Sequence, residues 1–561
     1  MLSKAAKPEG QSRRHVAAGD IARQYLPAMK QVWSEMEKVF DPAFVLRPLG
    51  HQFVQTYAVK AAHPELPYAL HFLAMMAPLA NGASVKIFPS GPSPLQIAVF
   101  NVNYAQTRKS STTGNADIFG RELDAIVKET VESKVAELQA EMDQDVRGDA
   151  DMFGSEGPAV AGKTKALPRP KINSAVIQSA TPEEFFHRRA GDYQQTQNAS
   201  KYDSDAMRGR HHFGVLANLD EAYDMMLSFG LLSDEQKSAA GKTAKVNPHQ
   251  SSFNKLLQFG SAARATKTTG SFGAAGAPAV SLGLSANLHP SQYIPMERGE
   301  SGSHHAATKE RFMVSSGRPV QPHAPLPADY KLPAGTSRWK WVPLVPAVAA
   351  LLQLSEASQS PEAAAKLWEE RNKDVVPADT DDELQEDELL FAPSVSGYPI
   401  ELPDRVLSRL RFRKHSNCPT GFQAEWRVAN RSFEVPEQFH LGPAARRVAA
   451  YFDKPHIELE LDEAAQRLHT SYQGGLNVES HLCREAGDVQ GGARLGAAPW
   501  QCGVLAGLLL VFDIFAGHFS DDELRLRNLV VTEEHLERAF SLLRAVGVPD
   551  VRRCRLMILS C

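Results

Sequence analysis

Residues 94–146 read PLQIAVFNVNYAQTRKSSTTGNADIFGRELDAIVKETVESKVAELQAEMDQDV. Leu95 to Val102 is short, largely apolar and rich in β-formers, with Pro92 and Pro94 upstream, and reads as a buried strand. Asn103 to Ser110 is polar and ends in Lys109-Ser110. From Asp117 a long helix is expected, because Phe119, Leu123, Ile126, Val127, Val131, Val135, Leu138 and Met142 recur mostly three or four apart. Strand, short loop ending in Lys-Ser, then helix is the layout of a phosphate-binding loop.

Such a loop wraps a triphosphate in inward-turned backbone N–H groups at a helix N-terminus, with a Lys on the outer phosphates and a hydroxyl on Mg²⁺. Its usual pattern, G-x-x-x-x-G-K-[ST], uses glycine for positive φ and close backbone approach. Aligned on Lys109 and Ser110, Asn103 and Arg108 stand where the glycines belong. Asn tolerates left-handed φ, and the Arg guanidinium can itself contact phosphate. An ordinary strand-to-helix turn with solvated Arg and Lys remains the competing reading of this segment. Residues 157–164, GPAVAGKT, fit the full pattern, yet DADMFGSEG before them is no strand and Pro168 and Pro170 after them block a helix. That match reads as chance within a flexible insertion.

Working outward, 561 residues suffice for more than one domain and a substantial core. With 43% hydrophobic and 22% charged residues the composition is that of a soluble globular chain. A formal net charge of −4 gives no global basic footprint, so any nucleic-acid contact must be a local patch. Five scattered cysteines without a C-x-x-C argue against a disulfide scaffold or zinc ribbon and fit an intracellular, reducing compartment, cytoplasmic or nuclear. The longest apolar runs are too short for a membrane span, so no membrane association is expected.

Before the central stretch, Ile21 to Phe40 has helical spacing and LPYALHFLAMMAPLAN (66–81) is a strongly apolar helix closed by Asn81-Gly82. Residues 148–170 read as a flexible insertion. Strands are expected at Ile172 to Gln178, Phe213 to Leu219, Ala279 to Ala286 and just after Arg311. Thr181-Pro182-Glu183-Glu184 has the make-up of a capped helix start. Trp339 to Leu354 and Ser360 to Asn372 read as helices. Residues 374–388 hold eight carboxylates and no Lys or Arg, and Arg405, Arg409, Arg411, Arg413 and Lys414 follow. The basic group either pairs with that acidic run, the favoured reading, or forms a phosphate-binding stripe. The rest is mainly helical. The expected division is an N-terminal helical segment (1–40), an α/β core (41–325), a Pro-rich and acidic linker with helices (326–400) and a C-terminal helical domain (401–561).

Asp220-Glu221 ends the strand GVLANL. A carboxylate there can hold Mg²⁺ through water and its neighbour can polarise an attacking water, although Asp-Glu before a helix is also an ordinary cap. Asn287 sits at another strand end, where an amide can sense a terminal phosphate, and Arg311 opens a later strand. The histidine pairs 211–212 and 304–305 are a weak metal pattern, since adjacent histidines in regular structure face apart.

These segments in this order resemble the uncharacterised P-loop NTPase-like (RecA-like) domain family of phage, plasmid and mobile-element replication proteins, often joined to primase modules. The motifs that carry the resemblance are LPYALHFLAMMAPL, the strand–Lys-Ser–long helix, SAVIQSATPEEFF, GVLANLDEAYDMM, SLGLSANLHP, TKERFMV, and the C-terminal GARLGAAPWQCGVLAGLLLVFD and VVTEEHLERAFSLL. The resemblance implies an α/β fold, a RecA-like core with a mainly parallel sheet, N-terminal helices and a mainly helical C-terminal domain. It implies ATP and Mg²⁺ as ligands: Lys109, Ser110 and Arg108 on phosphate, Ser110 and Asp220 on the metal. Glu221, Asn287 and Arg311 take the catalytic roles, Arg311 acting across a subunit interface if the chain forms homo-oligomeric rings. Single-stranded DNA or RNA is the implied partner. Two functions follow: an ATPase that remodels nucleic acid in replication, or a catalytically inactive P-loop-like scaffold or nucleic-acid adaptor, which the glycine substitutions favour.

Overall fold

The computed structural model describes residues 30, 32–61, 63–87, 91–103, 111–152, 174–178, 214–220, 222–228, 266–269, 273–276, 281–290, 292–293, 311–317, 338–343, 375–376, 388–389, 410–414, 422–430, 435–519 and 529–546. After a helical turn set at 32–39, α1 (Pro42–Ala61) and α2 (Glu65–Leu79) lead to strands β1 (Ser84–Ile87), β2 (Gly91–Pro94) and β3 (Ile97–Val102). Then come α3 (Ser111–Met152), β4 (Val176–Ile177), β5 (Gly214–Leu219), the short α4 (Tyr223–Ser228), the hairpin β6 (Thr266–Thr269) and β7 (Gly273–Gly276), β8 (Ser281–Leu288) and β9 (Phe312–Ser315). Strands β10 (Arg338–Pro343), β11 (Val375–Val376), β12 (Glu388–Leu389), β13 (Leu410–Lys414) and β14 (Phe422–Asn430) follow. The chain closes with α5 (Leu441–Tyr451), β15 (Glu458–Leu461), α6 (Glu463–Glu485), α7 (Val489–Ala516), β16 (Val530–Val531) and α8 (Glu533–Ala545).

The central sheet has the order β4-β5-β8-β3-β9, and every pairing in it is parallel. Strands β3, β5 and β8 are buried along their whole length, as a parallel sheet covered on both faces requires. The protein is thus α/β with a mostly parallel sheet. Helix α2 lies on this sheet so closely that a Cβ at Gly214 would run into the Pro78 carbonyl, and one at Gly283 into the Ala74 carbonyl. Its other side meets α7, which explains why α2 is apolar all round rather than on one stripe. Asn81 (φ 49°) and Gly82 (φ 78°) stop it in the left-handed region, as expected from the Asn-Gly pair. Helix α1 is broken at Arg47 (φ 59°), the residue before Pro48, where proline disfavours helical backbone.

Several expectations are corrected. Helix α3 begins at Ser111 rather than at Asp117, and it runs on to Met152, inside the expected insertion. Residues 339–343, expected to open a helix from Trp339 to Leu354, belong to the strand Arg338–Pro343. The chain groups into two compact units, one of residues 32–326 with 433–560 and one of residues 327–432 with 1–31 and 561. In the larger unit α5, α6, α7 and α8 share one core with α1, α2, β3 and α3, so the C-terminal helices are not a separate domain. A small sheet, β16-β15-β1-β2, adds to this: β15 runs parallel to β1, joining residues 458–459 to 84–85.

Helix α7 contains, at Gly491–Ala516, the one helix among the described residues long and apolar enough to cross a membrane, and 83% of its apolar window is buried inside the protein. It is the central core helix of this unit. Of the helix expected from Ile21 to Phe40, residues 30 and 32–39 are helical, while 21–29, the expected helix at 360–372 and the capped start at Thr181 lie outside the described residues.

Candidate functional site

The connection from β3 runs to one edge of the sheet, toward β4, whereas the connection from β8 runs to the other, toward β9. Adjacent parallel strands whose connections diverge leave a crevice beyond their C-terminal ends, the usual ligand position in open α/β sheets. At this point the otherwise apolar strands become polar. Asn101 of β3 pairs in register with Asn287 of β8, and Asp220 follows the last residue of β5.

Asn287 is the hub. Its Nδ2 donates to Asp220 Oδ1 at 3.3 Å and to Thr112 Oγ1 at 3.4 Å. Its Oδ1 accepts from Asn101 Nδ2 at 3.1 Å. Asn101 Nδ2 also lies 3.2 Å from His63 Nε2, and His63 Nδ1 lies 3.2 Å from the Pro64 carbonyl. That carbonyl can only accept, so Nδ1 carries the proton and Nε2 accepts from Asn101, which fixes the neutral tautomer. Burial pushes His63 down to about 4 against the Pro64 bond, keeping it neutral at physiological pH. His71 of α2 bonds Ser285 Oγ at 2.7 Å, and burial, with His63 beside it, pushes it down to about 3.

Thr112 stands in the first turn of α3, a helix of 42 residues whose N-terminal N–H groups carry partial positive charge. The Thr112 hydroxyl at the helix start and the half-buried Asp220 carboxylate thus accept from the same amide, and among the described residues no group of three or more His, Cys, Asp or Glu stands together to hold a metal. The structure therefore brings together Asp220, Asn287 and the start of α3. Arg108, Lys109, Ser110 and Glu221 lie outside the described residues, as do both histidine pairs and residues 157–164.

Arg311 is elsewhere. Phe312 is level with Ala98 while Asn287 is level with Asn101, so Arg311 sits at the opposite end of the sheet, about 13 Å from Asn287 along the strand direction. It borders a small pocket with Gln96, Ile97, Gln501 and Val504. Within one chain Arg311 and Asn287 cannot serve the same phosphoryl group. The polar residues at the C-terminal end of β9 are Ser315 and Ser316, and Ser316 Oγ donates to the Val102 carbonyl at 2.6 Å and receives Trp33 Nε1 at 2.8 Å.

Asn103, at the position of the first glycine, is not among the described residues with positive φ. It is fully buried, and its amide lies 3.2 Å from that of Asn101 and 3.3 Å from Ser316 Oγ. The side chain that replaces glycine is thus built into the polar network. Sequence reasoning did not single out Asn101, Thr112 or His63. Asn101 left a signal, a polar residue in an apolar strand; Thr112 and His63 left none, because only the fold carries them to Asn287. No family model, curated protein or solved structure matches the chain.

Proposed function

We propose that this chain is a RecA-like, P-loop-type protein that binds Mg-ATP at the β3–β8 crevice and couples it to nucleic acid. The observation that carries the reading is Asn287, bonded at once to Asp220 and to the Thr112 hydroxyl where the sheet's connections diverge. In this reading the N-terminus of α3, with Lys109, Arg108 and Ser110 just before it, receives the phosphates. Bound Mg²⁺, held by Ser110 and through water by Asp220, supplies charge neutralisation on the phosphoryl oxygens. Glu221 orients a water for in-line attack on the γ-phosphorus: a new P–O bond forms, the β–γ bridge breaks, and ADP leaves with the electron pair. Asn287 senses the terminal phosphate through its amide. Arg311, at the far end of the sheet, reaches a phosphate only from a neighbouring copy in a homo-oligomer.

A second reading, a catalytically inactive scaffold or nucleic-acid adaptor, is favoured by the Asn103 and Arg108 replacements of the two glycines, Asn103 with a buried side chain in the place of a typical cradle. Binding of a fluorescent ATP analogue with Mg²⁺, and phosphate release with and without single-stranded DNA, separates the two. The enzyme reading expects Asp220→Ala and Lys109→Ala to weaken binding at least tenfold. It expects Glu221→Gln to bind normally without turnover. Wild type that binds no nucleotide moves the assignment to the adaptor.

A further inference from the structure

Helix α6 (Glu463–Glu485) is buried along one face only. Ala465, His469, Leu476, Ser480 and Cys483 form that face, and polar bonds tie it to α7: His469 Nε2 lies 2.9 Å from the Pro499 carbonyl, and the Ser480 hydroxyl donates to the Gly492 carbonyl. Tyr472, on the flank, stacks on Phe540 of α8.

A second stripe runs along the opposite side of the helix. At 3.6 residues per turn, Arg467, Ser471, Gly474, Val478, Leu482 and Glu485 fall within about 80° of one another, and all six are exposed. Val478 is 61% exposed and Leu482 54%, and Val489, where α7 begins, is 60% exposed. Among the described residues these are the large apolar side chains that stay more than half exposed, and all of them stand at the α6–α7 turn. One exposed Leu is ordinary, whereas a cluster marks a contact surface. Gly474 and Gly475 lie mid-helix with nothing within 4 Å of where their Cβ atoms would be. Glycine weakens a helix interior, and no close approach within the chain requires it here.

The stripe carries opposite charges at its two ends. Arg467 lies 2.6 Å from Glu463, one turn before it, and its guanidinium has further donors. Glu485 stands in the last turn, where a carboxylate opposes the helix dipole unless a cation meets it. Each is nine residues from position 476, about 13 Å along the helix axis. A second α6, turned about a two-fold axis at the level of 476, runs antiparallel to the first. It sets its Glu485 opposite this Arg467 and its Arg467 opposite this Glu485. Val478 then falls level with Gly474 of the other copy, where the missing Cβ leaves room. A parallel pairing would instead set Arg467 against Arg467 and Glu485 against Glu485.

We propose that this stripe is a self-association face, at which two copies of the chain pair their α6 helices antiparallel. Val478 and Leu482 pack near the centre, and two Arg467–Glu485 ion pairs close the ends. Such a contact uses the same patch on both copies, so it stops at two and builds no ring. One helix from each copy makes a small interface, and the dimer is expected to dissociate in the micromolar range. The inference is independent of the nucleotide reading, since α6 holds none of the residues assigned to ATP or Mg²⁺.

The test is sedimentation velocity of the full chain, without nucleotide, from about 1 to 100 µM. Wild type is expected to pass from monomer to dimer over that range and to go no further. Val478→Lys with Leu482→Lys is expected to remain monomeric throughout. Both positions are exposed and Lys is a good helix former, so its far-ultraviolet circular dichroism should match wild type. Arg467→Glu alone and Glu485→Arg alone set like charges opposite each other, and each is expected to weaken the dimer about tenfold. The two together restore opposite charges and are expected to return the dimer to within about threefold of wild type. Such a rescue separates an antiparallel pair from nonspecific sticking. Wild type that stays monomeric at every concentration, a dimer unchanged by the Lys variant, or a double charge reversal no better than the single ones would overturn the proposal.

Discussion

Asn287 shows how one side chain acquires a role that its own strand cannot give it. Register brings it beside Asn101, and the crossover of α3 brings Thr112 to its other side. The two histidines behind it, His63 and His71, are buried and neutral. An unfolded histidine titrates near 6.5, so both rings favour the folded chain fully above that pH, and this contribution is lost as pH falls toward about 4 and 3. Between pH 7 and 5 each should cost about 2 kcal/mol of stability. Urea midpoints at the two pH values measure this, and His71→Gln should remove about 2 kcal/mol of the pH-dependent loss, to which His469 and His518, also lowered by burial, add, whatever it does to stability at pH 7. A loss unchanged in that variant would mean that His71 ionises freely in the folded protein. At this scale the sequence was legible where a polar residue interrupts an apolar strand, as at Asn101, and at strand ends such as Asp220. It was silent on His63, whose meaning depends on a partner 38 residues away.

Elements depend on close approach as much as on propensity. Helix α2 is pressed onto β5 and β8, and the only room for the carbonyls of Pro78 and Ala74 is the missing Cβ of Gly214 and Gly283. Backbone cannot step aside as a flexible side chain does, so Gly283→Ala should lift α2 from the sheet. The expected result is loss of the cooperative thermal transition or a drop of several kcal/mol, in the range of severe overpacking. Gly474 and Gly475 of α6 face open space, and replacing either with Ala should stabilise by about 0.5–1 kcal/mol. Thermal melts of the three variants side by side check the contrast. Unbroken apolar length announced α2 and the later part of α7, and 3.6-residue spacing announced α8. Such patterns misread 339–343, where the stretch RWKWVP is too short to separate helix from strand and only the pairing with β14 decides.

The larger unit is closed by a buried ion pair. Arg538 of α8 makes two bonds to Asp513 of α7, at 2.6 and 2.7 Å, and its Nε donates to the Val45 carbonyl of α1 at 2.8 Å. Burial alone would raise the Asp513 carboxyl, but the Arg538 bonds outweigh it and hold it at about 2. Arg538→Met should therefore cost about 3 kcal/mol, because Arg47 at 3.3 Å and His535 at 3.4 Å still face the Asp513 carboxylate, and Asp513→Leu added to it should recover part of that loss. Chemical denaturation of both variants tests this, and a double variant as unstable as the single would show that packing, not charge, makes the joint. The sequence by itself determined the α/β class, the strand-then-long-helix layout and the apolar helices, since periodicity and turn residues act over a few neighbours. Only the tertiary structure decided the strand order, the company of Asp220, Asn287 and Thr112, the removal of Arg311 to the far end of the sheet, and the merging of 433–560 with the α/β core. Those are pairings between residues tens to hundreds of positions apart, and a chain read in order carries no term for the distance across the fold.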